Sequence, residues 1–243
     1  MIKPAPNEMT FLEHLEELRW RILKSLGAIA LFAIVAFANA NRIIAFLTAP
    51  ALALDEPVVL QALKVSDMFM VQIISSLLVG LVLASPVVIF QIWRFVAPAV
   101  GRSSRTLTFS IVLFGSLFFL TGITFGYLVM LPFSLRFFTS LGGGLVENNF
   151  SIHAYLGYAA WMLIAAGLVF QLPVVSFILT RIGLLTPPFL RHYRRYALVG
   201  ILVFSAILTP PDPLSQVLMA VPLLALYELS ILISHIFSKP DES

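Results

Sequence analysis

The 243 residues contain no cysteine, and only 11% of them are charged. The first absence removes disulfide frameworks, thiolate metal sites and thiol nucleophiles. The second argues against a soluble fold, since a soluble domain carries about 25% charged residues. With 60% hydrophobic residues, a core of this length cannot hide so much apolar side chain, so the solvent must be lipid. There is no Gly-rich phosphate loop and no Gly-x-Ser-x-Gly motif, and His14, His153, His192 and His235 show no metal-ligand spacing. No enzyme activity, metal or other cofactor is expected. The amino terminus lacks the short apolar run and small-residue cleavage site of a signal peptide, so no leader is expected to be removed.

What is present is a series of long apolar runs. A bilayer core of about 30 Å needs roughly 20 apolar residues in a helix. Six spans are predicted, at about 22–38, 68–96, 107–131, 154–179, 196–208 and 214–236. Their length and the lack of period-two alternation make them helices. The fifth has 13 apolar residues between Arg195 and Thr209, about 20 Å of helix. It is short unless the bilayer thins around it. Pro86, Pro173 and Pro222 fall inside spans two, four and six, and each should bend its helix. The predicted fold is one all-α polytopic membrane domain over 1–243, curved or concave. No internal repeat is found, which disfavours an inverted-repeat transporter.

Placing the amino terminus inside puts twelve of the fifteen Lys and Arg residues on the inner side, leaving Arg42, Lys64 and Arg136 outside. The positive-inside rule then predicts cytoplasmic termini in an inner membrane. This asymmetry accounts for the net charge of +3, so no nucleic-acid partner is expected. Long outer loops are expected at about 39–67 and 136–153.

Residues 9–24 read MTFLEHLEELRWRILK. Thr10 and Glu13 fit a capping box. At 100° per residue, Phe11, Leu15, Leu18 and Ile22 form one stripe, with Glu13, Glu17, Trp20 and Lys24 opposite. This predicts an amphipathic interfacial helix over 9–21, lying in the headgroup plane before the chain turns inward. Two readings stand. In one the segment is an anchor, with Trp20 at headgroup depth and Glu17–Arg21 as an i,i+4 pair. In the other its carboxylates await a cationic partner, because a carboxylate can take a guanidinium in a two-bond fork.

The stretch FLEHLEELRWRIL resembles the amino-terminal signature of the TatC family, the receptor subunit of the twin-arginine protein translocase. Further resemblances are LASPVVIFQIWRFVAPAV at 83–100, LVFQLPVV at 168–175, ILTPPDPLSQVLMAVPLLALYEL at 207–229 and TAP at 48–50, which contains Pro50. They run in order along nearly the whole chain. The resemblance implies a receptor that binds twin-arginine signal peptides of folded cargo at the cytoplasmic face. It implies TatA- and TatB-type single-span partners, a homo- or hetero-oligomeric assembly in the lipid bilayer, and transport driven by the proton-motive force. It places the peptide site at Leu15, Glu17, Leu18 and Arg19, and at Phe95, Pro98 and Ala99 of the first cytoplasmic loop.

Two positions depart from the family pattern. Where the family usually has an acid in the first cytoplasmic loop, this chain has Ser104, between Arg102 and Arg105. Where span four typically has Glu, it has Gln171, which keeps hydrogen bonding but holds no charge. Glu228 is the one acid expected deep in a span, and intramembrane acids are functional candidates. Asp212, in the turn before span six, is either a turn former or functional. Gln216 lies where the family docks a partner subunit. Two alternatives remain: a divergent TatC-like scaffold that no longer reads twin arginines, and an unrelated transporter using Glu228.

Overall fold

The computed structural model describes residues 11–54, 58–100, 104–141, 149–208 and 213–237. Thr10 of the expected capping box, Arg102 and Asp212 lie outside these residues. Ten α-helices are described: α1 (Phe11–Phe37), α2 (Ala40–Leu52), α3 (Asp67–Val100), α4 (Arg105–Phe125), α5 (Leu131–Leu141), α6 (Ile152–Val169), α7 (Leu172–Ile182), α8 (Pro187–His192), α9 (Arg194–Leu208) and α10 (Pro213–Phe237). A π turn, Gly126–Met130, joins α4 to α5. Two short strands, β1 (Val59–Gln61) and β2 (Asn149–Ser151), pair in parallel with Val59 opposite Asn149.

Five helical runs are long and apolar enough to cross a membrane: 12–37, 67–100, 105–140, 152–182 and 216–237. The chain is therefore a multi-pass helical membrane protein. The fifth predicted span is α9, whose 15 residues reach about 22 Å. The expected outer loops are largely ordered. The first holds α2 and β1, the second is shortened because α5 continues the third helix to Leu141, and the two are joined by the β1–β2 ladder.

The interfacial helix does not turn inward as expected, because α1 is one unbroken helix from Phe11 to Phe37. No proline interrupts it, and Leu, Glu, Arg and Lys are strong helix formers. Nor does the apolar stripe as a whole form its packing face, which takes Leu18 but not Leu15 or Ile22. Leu15 and Ile22 are 45% and 49% exposed, whereas His14, Glu17, Leu18 and Arg21 are half-buried. The reason is that lipid is as apolar as leucine, so small and polar residues choose the packing face. The same preference sets the α1–α3 crossing. A Cβ on Gly80 would lie 2.7 Å from the backbone nitrogen of Ala33, so the two backbones meet there.

Each interior proline deprives the carbonyl four residues back of its donor, and at Pro86 and Pro50 a neighbouring side chain repairs the loss. Pro86 leaves the Val82 carbonyl, and the Ser85 hydroxyl donates to it at 2.8 Å. Pro50 leaves the Phe46 carbonyl, and the Tyr127 hydroxyl donates to it at 2.7 Å. The neighbouring Leu47 carbonyl accepts from the Tyr155 hydroxyl, also at 2.7 Å. Pro132 follows the π turn, in which the helix widens to an i→i+5 bond from Leu131 N–H to the Gly126 carbonyl. Pro173 opposes the carbonyl of residue 169, and α6 ends at that residue. What sequence shows as span four is therefore two helices, α6 and α7, with Gln171 at the joint. The core lies around α6, which is apolar on every side and buries more than half of its residues, with Trp161 and Leu168 left facing out. Leu156, Met162 and Leu163 of α6 are fully buried there, with Met130, Leu131, Met219 and Leu223.

Candidate functional site

α1 packs along α3, and α4 turns back beside α3. At this end a hollow of about 840 Å³ opens between them, lined by Glu17 and Arg21 from α1, by Trp93, Arg94 and Pro98 from α3, and by Ser104 and Arg105 at the start of α4. Its frame is rigid. Trp93 is only 1% exposed, and its indole N–H donates to Thr108 Oγ1 at 3.0 Å, latching α3 to α4. A buried indole needs such an acceptor. Ser104 caps α4, its hydroxyl accepting from the Leu107 N–H at 3.1 Å. The His14 ring stacks on Phe95 at 4.3 Å and 17°, pinning α1 to α3.

Glu17 carries the chemistry of the hollow. Its Oε1 accepts from Arg21 Nε at 2.9 Å and also from Arg21 Nη2. Arg21 Nη1 reaches Gln91 Oε1 at 3.4 Å. The other oxygen, Oε2, is buried with no hydrogen-bond partner among the described residues, and His14 Nδ1 lies 4.0 Å from it. A buried carboxylate oxygen left bare is costly, and a guanidinium arriving there would satisfy it. Against this, three guanidiniums line the hollow (Arg21, Arg94 and Arg105) to one carboxylate. The α4 amino terminus adds further positive potential.

The expected peptide-site residues separate. Glu17, Pro98 and Ser104 line the hollow, and Phe95 stands beside it against His14. Leu18 is half-buried on the packed face of α1, while Leu15 and Arg19 are exposed. Trp93, Arg94, Gln91 and Thr108 escaped notice in the sequence. The available signal was an indole beside Phe95 that would need an acceptor if buried.

The other candidates lie elsewhere. Gln171 Nε2 donates to the Gly115 carbonyl at 2.8 Å, bridging the α6–α7 joint to α4. Gln216 Nε2 donates to the Leu202 carbonyl at 3.0 Å, tying α10 to α9. Pro50 is half-buried within α2. Glu228 is not a deeply buried acid: it is 49% exposed and paired with Arg194. Arg194 Nε donates to Oε1 at 2.7 Å, and Nη2 donates to Oε2. Its hydrogen bonds to Glu228, and secondarily the charge of that carboxylate, push the Arg194 guanidinium above its usual pKa. The partner lies 34 residues away, so the sequence shows an acid in an apolar run and hides the cation beside it.

The family model described as "Sec-independent protein translocase protein (TatC)" matches residues 13–222. The chain belongs to the TatC family. It is 38% identical to the "Sec-independent protein translocase protein TatCy" of Bacillus subtilis, covering 96% of this chain and 92% of that one. It is 35% identical to the TatC protein of Desulforapulum autotrophicum, covering 96% and 87%. The fold matches a crystal structure of the "Twin Arginine Translocase Receptor- TatC" with a TM-score of 0.78 and 36% identity, over 92% of this chain and 99% of that one. The same receptor in DDM matches with a TM-score of 0.80. As a TatC-family chain it is a protein-translocation component built of apolar membrane helices.

Proposed function

We propose that this chain is the signal-peptide receptor of a twin-arginine translocase. The hollow takes the arginine pair of a cargo signal peptide, and Glu17 is the primary acceptor. TatA- and TatB-type single-span subunits complete the assembly, which uses the proton-motive force to move folded cargo. Six spans, counting short α9, put both termini in the cytoplasm of an inner-membrane protein. In this orientation the hollow opens to the side from which signal peptides arrive. The observation that carries the reading is the buried Oε2 of Glu17 in the wall of the hollow, unpartnered among the described residues, in a chain of this family.

The test is a titration of the membrane-embedded protein with a fluorescent Arg-Arg signal peptide and its Lys-Lys counterpart. The Arg-Arg peptide binds more tightly, and Glu17→Ala weakens it by about tenfold or more, the scale of a charge-assisted hydrogen bond. Photo-crosslinking from a probe at Ser104 locates the peptide independently. Equal binding of the two peptides, or unchanged binding in Glu17→Ala, would instead favour the divergent scaffold. That alternative draws on the cationic lining and on the engagement of Ser104 as a helix cap.

A further inference from the structure

A second recess is set apart from the hollow. α7 packs closely on α10, but α4 stands off from both, leaving a cleft of about 440 Å³. Its walls include Leu107, Phe114 and Phe118 of α4, Phe177 of α7, and Ile233 and Phe237 of α10, and its only polar lining side chain is Ser110. From Leu107 to Phe118 the cleft follows twelve residues of α4, a rise of about 16 Å. The mouth carries a charge. The Arg181 guanidinium lies 5.4 Å from the Phe177 ring centroid and 5.2 Å from that of Phe237. Both rings line the cleft. Gly183, with φ of 86°, ends α7 just beyond, so Arg181 occupies the last turn, where a cation is favoured. Among the described residues, no carboxylate accepts from Arg181.

We infer that this cleft binds one anionic phospholipid, with an acyl chain between α4, α7 and α10 and the phosphate on Arg181. Volume and lining favour a chain over a helix. A methylene takes roughly the 30 Å³ that a water takes in the liquid, so the cleft holds on the order of fourteen methylenes, about one chain. A partner helix would need interfacial small or polar side chains to hold it in lipid, and the cleft offers mostly bulky apolar side chains with Ser110 the one polar group in its lining. Chemistry selects the headgroup: the planar guanidinium offers a fork of donors that matches phosphate, and its aromatic flanks fix its plane. A net anionic headgroup gains from that charge where a zwitterionic one gains little. The inference is independent of the signal-peptide reading.

The experiment uses the full-length protein in mixed phosphatidylcholine–phosphatidylglycerol vesicles. Either lipid carries a diazirine at the end of one acyl chain, and adducts are mapped by mass spectrometry. Adducts in the cleft exceed those at Leu31 and Ile34, which are exposed on α1. The phosphatidylglycerol probe labels the cleft about fivefold more than the phosphatidylcholine probe, the factor one basic residue supplies near an anionic surface. Arg181→Gln removes that preference but keeps chain labelling. Ser110→Trp fills the cleft and removes both. Two results would overturn the site: equal cleft labelling by the two probes in the unaltered protein, or cleft labelling no higher than at Leu31 and Ile34. Neither needs a variant, so a misfolded variant cannot rescue the idea.

Discussion

Arg21 grips one oxygen of Glu17 and leaves the other buried without a hydrogen-bond partner among the described residues. The hollow thus already contains a guanidinium on its main acceptor, supplied by the chain itself. An arriving peptide arginine must share Glu17 with Arg21 or displace it.

Arg21→Gln should therefore strengthen Arg-Arg peptide binding by about threefold to tenfold. It removes a competitor for Oε1 and lowers the positive charge of the hollow, a gain of about 1 kcal/mol for a partly exposed pair. Peptide titration at two salt concentrations checks this, with the salt dependence shrinking in the variant. Weaker binding would mean that Arg21 holds Glu17 in its receptive rotamer.

Tyr127→Phe should lower stability by about 1 kcal/mol, because the Phe46 carbonyl left by Pro50 loses its donor. Pro50→Ala restores a backbone N–H to that carbonyl. The double variant should be less destabilised than Tyr127→Phe alone, a coupling that thermal unfolding in detergent measures directly. Additive effects would show that the hydroxyl does not compensate for the proline.

Gly80→Val should push α1 from α3, since even a Cβ would lie 2.8 Å or closer to Ala33 backbone atoms. A loss of about 2 kcal/mol or more is expected, on the scale of overpacking. A cysteine pair introduced across the α1–α3 contact should crosslink in the parent and poorly in the variant.

Gln171→Glu should keep the fold, because a protonated carboxyl can donate to the Gly115 carbonyl where Nε2–H now does. A carboxylate cannot donate. Its Tm should then fall as the pH rises, while that of the parent moves less over the same range. A Tm of the variant that ignores pH would remove the bond from the account of the α6–α7 joint.

The apolar runs were legible because length alone identifies a membrane helix, and five of the predicted spans coincide with helical runs long and apolar enough to cross. The packing face of α1 was not legible. A hydrophobic stripe indicates burial in water, but in lipid Leu15 and Ile22 lie outward as comfortably as inward. The interior prolines were visible, but their partners were not, because Tyr127 lies 81 residues from Phe46. Glu17 was legible as a candidate through its family motif. That Arg21 holds only one of its oxygens requires coordinates.

The β1–β2 ladder joins Val59 to Asn149, ninety residues apart, and the helical runs containing α3 and α4 both lie between them. The ladder therefore cannot close until both runs and the segment after them, carrying β2, have been made and inserted. Contacts this distant in sequence form late, after the entropy of the enclosed chain has been overcome. Three residue pairs thus act as a clasp on biogenesis: amide protection at Val59–Gln61 would time the moment when the first half of the protein is fully assembled.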